Sequence, residues 1–159
     1  MGSEKPSGKR EGCLPDAYPI GGMLSWEDTR MDDAAGPCRV VLVDDDDGVR
    51  RALARMLEVS GVQVTDFATA AAALAYLAEH GTDLLVTDLE MPGMDGGALI
   101  AAVQTRGLAQ RIVLISGQSV DHCAARLRAL GVAPIASVHE KPISLAMVKR
   151  IVASDGIVA

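Results

Sequence analysis

From Arg39 onward, short apolar runs alternate with segments whose apolar residues recur every three or four positions. Val40 to Val43 is a continuous apolar run, and Val49, Leu53, Met56 and Leu57 follow at helical spacing. Val62 to Phe67 alternates like a strand, and Ala70, Ala73, Leu74 and Leu77 form the next stripe. Leu84 to Val86 is the third run, followed by a helix carrying Leu99, Ile100 and Val103. Ile112 to Ile115 is the fourth run, and Val120, Cys123, Ala124, Leu127 and Leu130 form the fourth stripe. Ile135 to Val138 predicts a short fifth strand, and Leu145, Val148, Ile151 and Val152 close the series with a helix. Apolar strands alternating with amphipathic helices predict an α/β fold: a five-stranded parallel sheet, doubly wound, with helices on both faces. Its crossovers are right-handed, and its functional groups gather at the carboxyl ends of the strands.

Chemistry stands at those ends. Asp44, Asp45, Asp46 and Asp47 follow the first strand, Asp88 the third, Ser116 the fourth and Lys141 the fifth. A parallel sheet brings these termini to one edge. Carboxylates packed together repel one another unless a cation intervenes. A hard divalent ion such as Mg²⁺, held by oxygen ligands, meets that need. A carboxylate can itself attack phosphorus, and an ammonium can offset charge on the transferring group. The set suits the placing of a phosphoryl group on a carboxylate. Asp46 and Asp47 fit helix capping and a first-turn acidic position better.

The segments Val41-Leu42-Val43-Asp44-Asp45-Asp46, Val86-Thr87-Asp88-Leu89-Glu90-Met91-Pro92-Gly93-Met94-Asp95-Gly96, Val113-Leu114-Ile115-Ser116-Gly117 and Lys141-Pro142 together resemble the receiver domain of two-component response regulators. The resemblance runs from about Arg39 to Ala153 and implies a flavodoxin-like (βα)5 fold. It implies Asp88 as phosphoacceptor, Asp45 as direct Mg²⁺ ligand and Asp44 as a ligand through water. It also implies the Glu90 backbone carbonyl in the metal shell, Ser116 as switch hydroxyl, Lys141 as phosphate partner and a cis bond before Pro142. The expected phosphoryl donor is a sensor histidine kinase or phosphotransfer protein, and the expected target a downstream protein. Such a domain takes part in its own phosphorylation and dephosphorylation and is otherwise not an enzyme. The face of helix four, strand five and helix five would meet the target or a second copy, and would present some of Arg126, Arg128, His139, Lys149 and Arg150. Glu90 and Gln118 would flank the path of attacking water and set the phosphate lifetime. Three positions depart from the pattern: Val138 stands where the swinging aromatic is usual, Ile143 where Phe is frequent and Asp47 where Pro is frequent.

A haloacid-dehalogenase-like phosphatase is the alternative, because Asp45-Asp46-Asp47-Gly48-Val49 fits that family's opening string and would make Asp45 the nucleophile. That family needs a further acidic pair after its lysine, and only Asp155 follows Lys141. The alternative also leaves the segment around Asp88 unexplained.

Composition narrows the picture further. The chain of 159 residues has a net charge of −6 and is 49% hydrophobic, with 3% aromatics, so Ala, Val, Leu, Ile and Met must build its core. No clustered basic face suggests direct nucleic-acid binding. No apolar run approaches the ~18–20 residues of a membrane helix, and the residues after Lys5, Lys9 and Arg10 form no secretory signal. Cys13, Cys38 and Cys123 are odd in number and widely spaced, which predicts free thiols and, with the missing signal, a cytoplasmic location. Residues 1–37 lack periodicity and read as a flexible extension, with Tyr18 and Trp26 as its anchors for any partner and Met31 as a second start; residues 38–159 form the receiver domain. The short tail after the last helix predicts a stand-alone domain without a DNA-binding output module.

Overall fold

The computed structural model describes residues 36–153. The expected extension, with Cys13, Tyr18, Trp26 and Met31, falls almost wholly outside the described residues, as does Asp155.

Five strands alternate with five helices: β1 (Arg39–Val43), α1 (Asp47–Val59), β2 (Gln63–Phe67), α2 (Ala70–His80), β3 (Thr82–Thr87), α3 (Gly96–Arg106), β4 (Ala109–Ser116), α4 (Val120–Ala129), β5 (Ser137–Glu140) and α5 (Leu145–Ala153). The strands form one sheet in the order β2-β1-β3-β4-β5, and every pairing is parallel. From β1 the chain goes outward to β2, then crosses back to β3 on the other side. The strand order therefore reverses between β1 and β3, and a crevice forms beyond their carboxyl ends.

Alternation along each strand sorts its side chains onto two faces. Val41, Val43, Leu85, Ile112 and Leu114 pack with Ala73 and Leu77 of α2, Leu99, Ile100 and Val103 of α3, and Cys123 and Leu127 of α4. Val40, Leu42, Leu84, Val86, Val113 and Ile115 pack with Leu53 and Leu57 of α1 and Val148 and Ile151 of α5. β3 is buried along its whole length, as a central parallel strand covered on both sides must be.

Short polar side chains start the helices. Asp46, Thr69, Asp95 and Ser119 each accept a hydrogen bond from the backbone N–H three residues on, at 2.8–3.2 Å. Each satisfies a donor that the first helical turn leaves unpaired. The capping role expected of Asp46 is thus observed.

Two expectations need correction. The fifth strand is Ser137–Glu140 rather than Ile135 to Val138. Ile135 packs against the core from the loop, and ladder pairing begins where Ser137 meets Val113. Strand β5 lies at the sheet edge and is only partly buried, so its polar Ser137 and His139 hid it from the apolar pattern. Cysteine spacing also misled: Cys38 is disulfide-bonded, while Cys123 is a free, buried thiol. Separation in sequence does not measure distance in space, and the thiol argument for a reducing compartment falls away. No helix among the described residues is long and apolar enough to cross a membrane.

Leu114 is fully buried in the middle of β4. Leu114→Ala should cost about 2–5 kcal/mol, from lost transfer energy and the cavity left behind. Urea unfolding would measure this, and a loss well below about 1 kcal/mol would contradict the core assignment.

Candidate functional site

The carboxyl ends of β1, β3 and β5 converge in the crevice. Asp44 directly follows β1, and its backbone N–H donates to the Phe67 carbonyl at 3.2 Å. Asp88 directly follows β3, and its N–H donates to the Val43 carbonyl at 3.0 Å. Both aspartates thus continue the ladders of the strands they terminate. Lys141 directly follows β5 and donates its N–H to the Ser116 carbonyl at 2.8 Å. Backbone pairing in the sheet therefore fixes all three Cα positions.

The side chains meet. Carboxylate oxygens of Asp44, Asp45 and Asp88 all lie within 4.8 Å of one another. Lys141 Nζ donates to Asp44 Oδ2 at 2.6 Å and to Asp88 Oδ2 at 3.1 Å. Asp88 Oδ1 accepts the Leu89 N–H at 2.7 Å, and Asp44 Oδ1 accepts the Asp46 N–H at 2.9 Å. Asp44 and Asp88 are buried, and Asp45 is exposed at the mouth. The peptide bond between Lys141 and Pro142 is cis, as expected.

Electrostatics follow from this packing. Burial pushes the Asp88 carboxyl above its ordinary range; Lys141 and the Leu89 N–H offset only part of the effect, and the Asp44 charge adds to it. Burial works against the Lys141 ammonium, but its bonds to Asp44 and Asp88 outweigh burial and hold its pKa above the usual lysine value. Asp88 is thus a carboxylate whose charge is poorly compensated, beside an ammonium that stays charged. The donor set is all oxygen, anionic and close-packed, which is the chemistry of a hard divalent cation.

Ser116 ends β4 and is fully buried. Its strand lies beside β3, with Leu114 opposite Thr87, so the hydroxyl is carried on the strand end next to Asp88. Ser116 Oγ accepts the Gln118 N–H at 3.2 Å and contacts the Cys123 thiol, which burial holds above its usual pKa. Helix capping falls to Ser119, so Ser116 is left at the strand end. Glu90 is exposed on the β3–α3 loop, and Gln118 is half-buried.

Thr87 and Arg50 have consequences for the site that were not singled out from sequence, and the reason for Gly96 was not visible there. The need for Gly96 is steric: a Cβ there would lie 1.9 Å from the Asp88 carbonyl oxygen and 2.8 Å from its carbon. Only glycine lets α3 start so close to the backbone of Asp88. Thr87 Oγ1 donates to the Asp88 carbonyl at 2.9 Å. Arg50 of α1 reaches back to the Asp44 carbonyl at 2.9 Å. Its pairing with Asp47 three residues earlier was readable as a helical neighbour contact, but its pairing with Asp66 at 2.9 Å depends on the fold.

On the α4–β5–α5 side, Arg128, Lys149 and Arg150 are exposed, as expected. Arg126 is also exposed but paired with Asp95 at 2.5 Å, which ties α4 to the start of α3. His139 is half-buried against Ser137 Oγ at 2.9 Å, and burial with the nearby Arg150 charge lowers its pKa. Val138 packs against the core face that carries α4.

With metal absent, the raised Asp88 pKa makes its ionisation a cost to the fold. A folded-state pKa above the unfolded value means that the stability contributed by the protonated form is lost as pH rises through the window between them. The cost therefore sets in as pH rises above the ordinary carboxylate range and is felt at neutral pH. Metal-free Asp88→Asn should therefore melt above the wild type at about pH 7, with the gap closing as pH falls toward about 4. Thermal unfolding across that range checks it, and an unchanged or lower melting temperature at neutral pH would contradict it.

Comparison with known proteins bears on the family and the fold. The family description of the response regulator receiver domain matches residues 40–153. The transcriptional regulatory protein FixJ of Azorhizobium caulinodans is 36% identical over 94 residues, covering 59% of this chain and 44% of that protein. The DNA-binding transcriptional regulator NtrC of Escherichia coli is 36% identical over 80 residues, covering 50% of this chain and 17% of that protein. The chain thus spans less than half the length of these relatives. Among solved structures, FixJ-N superposes with a TM-score of 0.62 at 29% identity, covering 78% of this chain and 98% of that one. The chemotaxis protein CheY4 of Vibrio cholerae shares the fold, with a TM-score of 0.65 at 21% identity, covering 73% of this chain and 96% of that one.

Proposed function

The chain belongs to the response regulator receiver family, and from that premise we propose that it is a signalling switch that takes a phosphoryl group onto Asp88 in the presence of Mg²⁺. The observation that carries this reading is the convergence of Lys141 Nζ on Asp44 and Asp88, with Asp45 in the same carboxylate group. Membership in a family of signalling domains, and not of catalytic enzymes, supports treating the phosphorylated protein as the output.

Asp44, Asp45 and Asp88 would hold the metal, joined by the Glu90 backbone carbonyl. The ion, when bound, would neutralise charge on the transferring group. The chain's own residues supply the rest. Asp88 attacks the phosphorus of a phosphohistidine, so that a carboxylate O–P bond forms as the N–P bond breaks and the imidazole leaves. The Leu89 N–H anchors Oδ1 and so helps to fix the orientation of the carboxylate. Lys141 turns its ammonium from the carboxylates to the new phosphate. Ser116, buried on the neighbouring strand end, donates its hydroxyl to that phosphate. The swap of partners by Lys141 and Ser116 biases an equilibrium between two existing conformations.

A sensor histidine kinase or a phosphotransfer protein is the donor in this reading, and a downstream protein the receiver of the signal. We place that contact, or one with a second copy of the chain, on the α4–β5–α5 face. An aromatic swing cannot report the state there, because Val138 occupies the position.

Incubation with acetyl phosphate and Mg²⁺, followed by intact-mass analysis, tests the acceptor. The wild type and Asp46→Asn should gain one phosphoryl group, and Asp88→Asn none. Label on Asp88→Asn that disappears in Asp45→Asn would instead support the phosphatase alternative and overturn the assignment.

A further inference from the structure

We infer that Arg50 is a positioning residue for the metal-binding aspartates, an inference that rests on reading Asp44, Asp45 and Asp88 as a magnesium site. Its guanidinium joins three parts of the fold. Nη1 donates to the Asp44 carbonyl at 2.9 Å, Nε to Asp66 Oδ2 at 2.9 Å, and Nη2 to Asp47 Oδ1 at 2.5 Å. Asp44 opens the β1–α1 loop, Asp66 lies in β2 and Asp47 begins α1. The Arg50 side chain is only 11% exposed, so it is packed in this arrangement rather than waving above it.

The target of Nη1 gives the contact its significance. The Asp44 carbonyl belongs to the peptide that links Asp44 to Asp45. Bonding it fixes the tilt of that peptide, and so the direction in which Asp45 leaves the backbone. Asp44 has further restraints: its N–H bonds to Phe67, and its carboxylate to Lys141 and the Asp46 N–H. Asp45 is exposed, and its carboxylate is placed by the backbone that carries it. Arg50 therefore holds the loop on which the Asp45 ligand rides. Only a planar fork with donors on three nitrogens can span these three acceptors; a lysine ammonium presents its donors from a single point.

Charge and geometry make opposite demands on the metal. A cation beside three carboxylates weakens binding of another cation, so charge alone predicts that removing Arg50 tightens Mg²⁺. Positioning predicts weakening, even when the charge is kept. Calorimetric titration with MgCl2 of wild type, Arg50→Lys and Arg50→Gln separates the two. Both variants should bind Mg²⁺ about tenfold more weakly, the usual effect of losing a group that orients a metal ligand. Unchanged affinity in Arg50→Lys, or tighter binding in Arg50→Gln, would overturn the role. Should circular dichroism show either variant misfolded, Asp66→Ala removes one acceptor at an exposed carboxylate; it should weaken Mg²⁺ by about threefold, taken as a fraction of the full effect. Unchanged affinity there would equally overturn the role. A wild type that binds no Mg²⁺ would overturn the magnesium reading itself, whereas wild-type binding with unaffected variants would sink Arg50 alone.

Discussion

Repulsion among three neighbouring carboxylates is the constraint around which this molecule is arranged. Two of them, Asp44 and Asp88, are buried, where solvent screens them poorly. Lys141 answers part of that repulsion by bridging both. Its backbone can reach them because β5, β4, β3 and β1 are held in register within one parallel sheet. Asp44, Asp88 and Lys141 each directly follow a strand, and each is locked there by a backbone hydrogen bond to the neighbouring strand. The site's geometry is therefore a consequence of the sheet rather than of loops that must find each other.

A site of this kind is stressed by design. Asp88 carries a charge that its surroundings compensate incompletely, and the apolar layers on the two sheet faces offset that cost elsewhere. In the proposed switch, binding a divalent cation or exchanging Lys141 from carboxylates to a phosphate would relieve the repulsion, so that ligand and phosphoryl group would both act on the conformational balance. Supporting groups keep the arrangement tight. Gly96 admits the start of α3 against the backbone of Asp88, and Thr87 bonds the Asp88 carbonyl. Arg50 fixes the acidic loop.

Much of this was legible in the sequence, for physical reasons. Continuous runs such as Val40 to Val43 can be stable only between two helical layers, so the runs specified a parallel sheet and, with it, the edge where Asp44, Asp88, Ser116 and Lys141 meet. Of the four capping residues, Asp46 announced itself by chemistry and position. What escaped notice depended on contacts between distant segments. Strand β5 carries Ser137 and His139 at a half-buried edge, where apolarity is not required. Gly96 was visible as a glycine, but its reason, the Asp88 carbonyl in its way, exists only in three dimensions. Arg50 looked like an ordinary helical arginine until Asp66 and the Asp44 carbonyl came round to it. Cys38, too, is paired despite spacing that gave no hint of it.

The central claim is that the acidic group of Asp44, Asp45 and Asp88 is a divalent-cation site. Anomalous diffraction from a crystal soaked in Mn²⁺, a heavier stand-in for Mg²⁺, tests it most directly. The account predicts one strong peak within coordinating distance of Asp45 and Asp88, lost on Asp45→Asn. A map without a peak there, or with manganese only at other surface carboxylates, would contradict it.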